Sequence, residues 1–468
     1  MSAPCAKFDR LQPFSPVLKH TTERNKIQKT DDGPFWTSCG NSSNLDPWQC
    51  RGNALKKKSS QTDVRMRGFS RRETVDAAWR WLDQQTAPLP AESVPLGDAV
   101  GRVLIGAIES PIDVPAFERS MMDGFAVQAA DTEGASAYNR LPLSVIGQVL
   151  PGQSPDTAVA SGQTVRIMTG APLPPGADAV LPVEHVEVTD QRIDALADVS
   201  PGKHVGHRGE DISAGASVLP AGRRLRPQDI GVLSSIGVSQ VSVVRRPRVR
   251  IVVTGNELLP PGSTPVGCRI ADANGPMLAG LIHRDGGQAI NPGIVQDEPD
   301  QVLEALRSDA DVIVVSGGSS VGQEDYAPAL LAEHGELAIH GIAMRPSSPT
   351  GMGVLDQRLV FLLPGNPVSC LCAYDFFAGR TIRILAGRRA DWPYPRVTLP
   401  LRRKLVSKVG RLDYARVQTI DGRVEPLAIS GAAVLSSTTR ADGFVIIPEQ
   451  SEGFPPDALV EVHLYDIP

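Results

Sequence analysis

What this chain lacks narrows its chemistry before any motif is read. No apolar run approaches the ~18 residues that a membrane-crossing helix needs, so a transmembrane helix is excluded. A basic surplus is missing too: 47 Lys and Arg stand against 52 Asp and Glu, a net charge of −5, which argues against a dedicated nucleic-acid binder. Cysteine is scarce. Six in 468 residues do not make a disulfide framework, and Cys370-Leu371-Cys372 has the wrong spacing for a CxxC redox or zinc pair. A reducing, cytoplasmic compartment is the simplest expectation. His204 and His207 form an H-x2-H pair with no third ligand nearby, and no G-x-S-x-G elbow or locally supported Cys/His pair occurs.

Glycine and proline are plentiful by contrast. Together they number 84 of 468, about 18% against an average near 12%, which promises many turns and short strands. At ~150 residues per domain the length suggests about three domains. Residues 1–67 stand apart. They carry 12 Lys/Arg and 6 Asp/Glu, a net +6 that leaves −11 for the rest, and they show no helical or strand period. Two readings stay open for them: a basic tail that docks on a partner, or a disordered or wrongly extended start with Met66 as the initiator. They do not form a secretory signal, because no apolar core follows the basic start.

Order begins after Met66. Ser70-Arg71-Arg72-Glu73 reads as a capping box opening a helix whose apolar face is Val75, Ala78, Trp79 and Leu82; Pro88 and Pro90 end it. Residues 91–245 read as mostly β, from short apolar runs at 100–105, 141–149 and 179–183 broken by turns; one helix is expected at 227–236 with Gly237 as its stop. From about 246 the pattern changes. Apolar strands at 249–253, 312–315 and 359–363 alternate with helical stretches at 274–284, 299–308 and 327–334. Buried strands alternating with helices predict a parallel sheet covered on both faces, with its ligand at the carboxyl ends of the strands. Residues 394–468 return to short β segments.

The loops at those strand ends carry the chemistry. Residues 316–322 (SGGSSVG) pack three glycines and three serines into one turn, where converging amides and hydroxyls suit an anion. It is neither a Walker A loop nor a Rossmann fingerprint. Glu324 and Asp325 follow it, Glu257 follows the first strand, and Asp297 follows another expected strand end at 293–295. Carboxylates beside an anion-binding loop make sense if a divalent cation bridges protein and phosphate, as Mg²⁺ does with one or two carboxylates. A second group lies in the β-rich region: Asp123 beside Gly124, Thr169 in RIMTG, and Arg208 and Asp211 in RGEDI, where arginine offers a bidentate fork for an oxyanion.

Taken together, SMMDGFAV (120–127), RIMTGAPLPPGADAV (166–180), GEDISAG (209–215), TGNEL (254–258), SGGSSVGQEDY (316–326) and LPGNPVS (363–369) occur in this order. They resemble the molybdopterin molybdenumtransferase family, the bacterial MoeA type and the E domain of gephyrin, over residues 68–468. The resemblance implies an elongated homodimer with a multidomain α/β plus β fold. Its parts would be a parallel-sheet α/β molybdopterin-binding domain (68–88 plus 238–393), a linker domain (89–109 plus 216–237), an inserted β-rich domain (110–215) and a small C-terminal β domain (394–468). The cleft would lie between the α/β domain of one subunit and the β-rich domain of the other.

The reaction implied takes adenylylated molybdopterin and molybdate to molybdenum cofactor and AMP, with Mg²⁺ assisting. Asp123, Asp211, Glu257, Asp297 and Asp325 are the implied catalytic acids, the last three also as Mg²⁺ ligands. Thr169 and Arg208, the glycine loop (Ser316, Gly317, Gly318, Ser319) and Pro364, Gly365 and Asn366 would bind the pterin substrate and its phosphates. Arg345, Ser348, Arg416 and Ser436 fall where the resemblance implies molybdate binding. A molybdopterin adenylyltransferase would supply the substrate, and molybdoenzymes or their chaperones would receive the product; no nucleic acid and no membrane are involved. The family's K-P-G-K-P segment is here Arg345-Pro346-Ser347-Ser348-Pro349, and Gly341 stands at another usually basic position. That departure keeps a second reading open, a non-catalytic protein that binds or delivers molybdopterin or finished cofactor.

Overall fold

The computed structural model describes residues 72–318, 325–428 and 431–466. The expectations for residues 1–67, and those for Ser319 and Glu324, lie outside the described residues.

A seven-stranded sheet forms the α/β part. Its order is Gln288–Ile290, Arg248–Thr254, Val312–Ser316, Arg358–Leu363, Gly351–Leu355, Glu336–His340, with Ile294–Val295 also pairing to Arg248–Thr254. Side chains alternate faces along each strand. Val249, Ile251, Val253, Val312, Val314, Phe361 and Leu363 pack on one side with the helices Val75–Gln85 and Asn274–Asp285. Val252, Ile313, Val315, Val360 and Leu362 pack on the other with Pro299–Leu306 and Tyr326–His334. Each fully buried side chain of this kind contributes about 1.5–3 kcal/mol, which is why continuous apolar runs settle in the middle of the sheet.

Four departures from the sequence reading have physical causes. The first helix runs Val75–Gln85 and is capped by Thr74, whose hydroxyl accepts from the Ala77 amide at 3.1 Å, four residues after the expected Ser70, which lies outside the described residues. Glu73 is instead extended and bridges Ile342, donating to the Gly341 carbonyl at 3.0 Å and accepting from the Ala343 amide at 2.8 Å. Residues 100–105 form no strand, only isolated bridges at Val103 and Leu104, because Gly101 turns the chain at φ 78°. The sheet is parallel from Gln288–Ile290 to Arg358–Leu363 but antiparallel beyond it. A two-residue turn at Asp356 and Gln357, both at positive φ, reverses the chain there without the Asn-Gly signature that would have announced it. Finally, Pro367–Ala373, a π-helical turn at Tyr374–Ala378 and Gly379–Leu385 make a continuous helical run, buried along most of its length, that the strand-by-strand reading passed over.

The remaining sheets are β. Ala179–Pro182, Gly124–Val127, Gln163–Ile167, Leu141–Val149, Arg192–Ala195 and Val186–Thr189 form one six-stranded sheet. Ala91–Pro95 pairs with Gln240–Val244, and Ile108–Glu109 with Ser217–Leu219, around a core of Val94, Leu104, Leu225, Leu233 and Val243 that includes the helix Pro227–Ser235. The C-terminal sheet holds Leu412–Ile420 at its centre. One of its edge strands is Met344–Arg345, lent by the α/β part and paired in parallel with Leu412 and Asp413.

Candidate active site

Parallel register decides where the site lies. Val253 pairs with Ser316, and Ser316 with Leu363, so the three following loops emerge side by side. They enclose a cavity of about 610 Å³ lined by Thr254, Glu257, Asp272, Asn274, Asp297, Ser316, Gly317, Gly318, Asp325, Pro364, Gly365 and Asn366. Every described α/β residue expected to act on pterin or metal is in this wall. Gly317 adopts φ 100°, and a β-carbon there would stand 2.3 Å from the Thr254 carbonyl oxygen, so only glycine lets these loops approach. Asp297 accepts from the Thr254 hydroxyl in a close contact and from the Asn256 amide at 3.2 Å. Glu257 is exposed, and Asp325 is half-buried as the residue preceding Tyr326–His334.

Two residues of this wall escaped the sequence reading. Asp272 is buried and accepts from the amides of Asn274 and Gly275, both at 2.9 Å, which caps the helix Asn274–Asp285. Asn274 donates from Nδ2 to Ser316 Oγ at 2.9 Å and to the Gly365 carbonyl at 2.7 Å, tying two of these loops together. Its Oδ1 is buried and finds no partner among the described residues. The signal was there as Asp-x-Asn-Gly at a helix start, a capping pattern.

A second cavity of about 810 Å³ adjoins the first through Pro349, Pro364 and Asn366. Arg72, Arg345, Ser347, Ser348, Lys408, Arg411 and Gly431 line it. Arg345 is held by the fully buried Asp413, with Nε to Oδ1 at 3.0 Å and a close Nη2 contact to Oδ2. Ser347, at φ 87°, donates to the Ser369 carbonyl at 2.6 Å and fixes the loop. Arg416 and Ser436 line neither cavity: Arg416 is fully buried behind Gly431, and Ser436 is exposed at the start of Ser436–Thr439.

The β-rich candidates fall into two hydrogen-bonded pairs. The Asp123 carboxylate accepts from the Thr169 amide and hydroxyl, both at 2.7 Å, and these bonds hold its pKa below the usual carboxylate value. Arg208 donates from Nε to Asp113 at 2.6 Å, and Asp113 also accepts from the Ala214 amide at 2.8 Å; the amide and then the guanidinium keep Asp113 ionised. Asp211 is exposed nearby. None of these residues lines either cavity, so one chain does not bring the two groups together. Cys370, beside Ser316, is fully buried, and burial pushes its thiol up to about 12.

Three family models match in order: the MoeA N-terminal region (domain I and II) at residues 73–237, the "Probable molybdopterin binding domain" at 250–383, and the MoeA C-terminal region (domain IV) at 398–465. A molybdopterin molybdenumtransferase 2 of Mycobacterium tuberculosis is 34% identical over 374 residues, 76% of this chain and 91% of the relative. The chain belongs to the MoeA-type molybdopterin molybdenumtransferase family. A molybdopterin molybdenumtransferase of Staphylococcus aureus is 29% identical over 405 residues, covering 83% of this chain and 94% of that one. The solved molybdopterin biosynthesis MoeA protein of Pyrococcus horikosii superposes with a TM-score of 0.71 at 33% identity, over 85% of this chain and all of that chain. A role in molybdenum cofactor biosynthesis follows from this membership.

Proposed function

We propose that this MoeA family member is a molybdopterin molybdenumtransferase that hydrolyses adenylylated molybdopterin, releases AMP and passes molybdate to the pterin. The observation that carries the reading is the wall of the first cavity: four carboxylates, Glu257, Asp272, Asp297 and Asp325, around glycine loops at parallel strand ends, with no cation among the described residues. A pyrophosphate ester is repelled by such a wall unless a cation intervenes. No described group of three His, Cys, Asp or Glu side chains could hold a metal by itself. One or two carboxylates plus substrate phosphates is the donor set that suits Mg²⁺, so Glu257, Asp297 and Asp325 fit it. Bound there, Mg²⁺ would neutralise charge on the phosphoryl oxygens.

The chain's own groups divide the remaining work. Asp297 is committed to Thr254 and Asn256 and positions that loop. Glu257 and Asp325 line the cavity, and in this reading one of them takes the proton of an attacking water. Ser316, Gly317, Gly318 and Ser319, with Pro364, Gly365 and Asn366, receive the phosphate side of the substrate. Arg345 and Ser348, in the wall of the second cavity, form the molybdate side of the proposal; Arg416, buried behind Gly431, and Ser436 lie outside that wall. Asp123, Thr169, Arg208 and Asp211 would enter from a second subunit, which makes a homodimer part of this reading, as are the domain boundaries given above and a cytoplasmic setting. No described helix is long and apolar enough to cross a membrane.

Single-turnover incubation with adenylylated molybdopterin, Mg²⁺ and molybdate tests the proposal, with AMP and pterin-bound molybdenum quantified separately. Both are expected. Tight pterin binding with neither product would favour the carrier reading, which the tying of Arg345 to Asp413 motivates.

A further inference from the structure

The second cavity carries a charge imbalance that the expected molybdate residues do not account for. Its wall holds four cations, Arg72, Arg345, Lys408 and Arg411, and no carboxylate among the described residues. One carboxylate lies behind the wall. Asp413 is fully buried and receives the two-point contact of Arg345 together with the Ser407 hydroxyl at 2.6 Å. Arg411 Nε stands 3.4 Å from the same Oδ1 that Arg345 occupies, and it finds no hydrogen-bond partner among the described residues. One carboxylate neutralises one guanidinium, and the bidentate geometry gives that role to Arg345. Lys408 forms no ion pair among the described residues, and neither does Arg72. The surplus positive charge of this concavity therefore comes from Lys408, Arg411 and Arg72.

The fold places that charge deliberately. Met344 and Arg345 pair in parallel with Leu412 and Asp413, which brings the turn ending at Arg411 alongside Ser347 and Ser348. Gly410, at φ 94°, shapes the turn, and its amide is pinned to the Glu449 carbonyl at 2.7 Å. A concave wall with unneutralised cations concentrates anions, and a lysine ammonium is a compact point charge on a flexible stem that can close on a small ligand.

We propose that Lys408, seconded by Arg411, is the specificity-determining charge for a small oxyanion in the second cavity, and that Arg345, locked to Asp413, is a positioning residue. A concavity with surplus positive charge and no carboxylate in its described wall suits a small oxyanion. That the oxyanion is molybdate rests on the molybdenumtransferase reading.

The test is equilibrium dialysis of the full chain against molybdate at low ionic strength, with bound molybdenum measured directly. Lys408→Gln is expected to weaken binding about tenfold, a loss that shrinks as salt rises from about 0.01 to 0.15 M because the pair is exposed to screening. Lys404→Gln, an exposed lysine lining neither cavity, should stay within about twofold of the parent. Ser348→Lys in the Lys408→Gln background should recover most of the loss, which a merely structural role for Lys408 would not allow. Unchanged affinity in Lys408→Gln, or no molybdate binding by the parent protein, overturns the inference. AMP release from adenylylated molybdopterin is followed in parallel. Release with unchanged Lys408→Gln affinity sinks this inference and leaves the transferase reading standing; absence of release sinks that reading, while the dialysis still decides the role of Lys408.

Discussion

The two adjoining cavities differ in the sign of their walls. Four carboxylates and no cation line the first; four cations and no carboxylate line the second, among the described residues, and the two share Pro349, Pro364 and Asn366. The contrast teaches how one site handles two anions. Like charges ~4 Å apart repel by about 4 kcal/mol at a protein surface, so on the proposed reading a phosphate would enter the first cavity with a cation between. On the same reading an oxyanion would enter the second directly. Keeping the signs apart lets each cavity be tuned without spoiling the other.

The contrast can be tested hardest at Asp325. Asp325→Asn is expected to slow AMP release by about 10²–10⁴-fold, measured under single turnover, with molybdate affinity within about twofold of the parent. Equal losses of both would show that the cavities act as one. Removing Mg²⁺ with a chelator should likewise stop AMP release and spare molybdate binding. Gly317→Ala comes next. Its β-carbon would meet the Thr254 carbonyl oxygen at 2.3 Å in a backbone conformation that disfavours side chains, so a stability loss of about 2–4 kcal/mol in urea unfolding is expected, together with loss of AMP release. Asn274→Ala cuts the tie between Ser316 and Gly365 and should weaken pterin binding by about 1–3 kcal/mol in a titration.

Smallest for the chemistry, and a control lying in neither wall, is Asp229→Asn. Burial works against ionisation of Asp229, yet the hydrogen bonds from Arg223 and Arg226 hold its pKa down to about 2. A depressed carboxylate stabilises the fold fully above its unfolded value near 4, and that contribution is lost as pH falls toward about 2. Asp229→Asn should therefore cost about 1–3 kcal/mol at neutral pH, flatten the fall in stability between pH 4 and 2, and leave both cavities' activities unchanged. Thermal melts across that pH range check it.

Legibility tracked how local each signal was. The first cavity could be read from the chain because each of its loops follows an apolar run, and parallel strands gather their carboxyl ends by rule. That rule alone is enough to bring Glu257, Asp297 and Asp325 into one wall. Asn274 was harder, because its value lies in what Nδ2 reaches, Ser316 and Gly365, 42 and 91 residues away in sequence. The second cavity was read only in part. Arg345 stood out by its motif, but its capture by Asp413 depends on a strand pairing across 68 residues. Lys408 and Arg411 belong to none of the motifs that stand out in the sequence. The antiparallel edge at Glu336–His340 was missed because Asp356-Gln357 is a weak turn signal.

By itself the sequence determined the alternation of buried strands and helices, the glycine positions that let loops meet, and the order of motifs that places the chain in its family. Those follow from hydrophobic burial and local backbone geometry, which each segment carries alone. Only the tertiary structure decided which cations remain to meet a ligand. That depends on which carboxylate folding brings against which guanidinium, and Asp413 reaches Arg345 only once the C-terminal sheet has taken Met344–Arg345 as an edge strand.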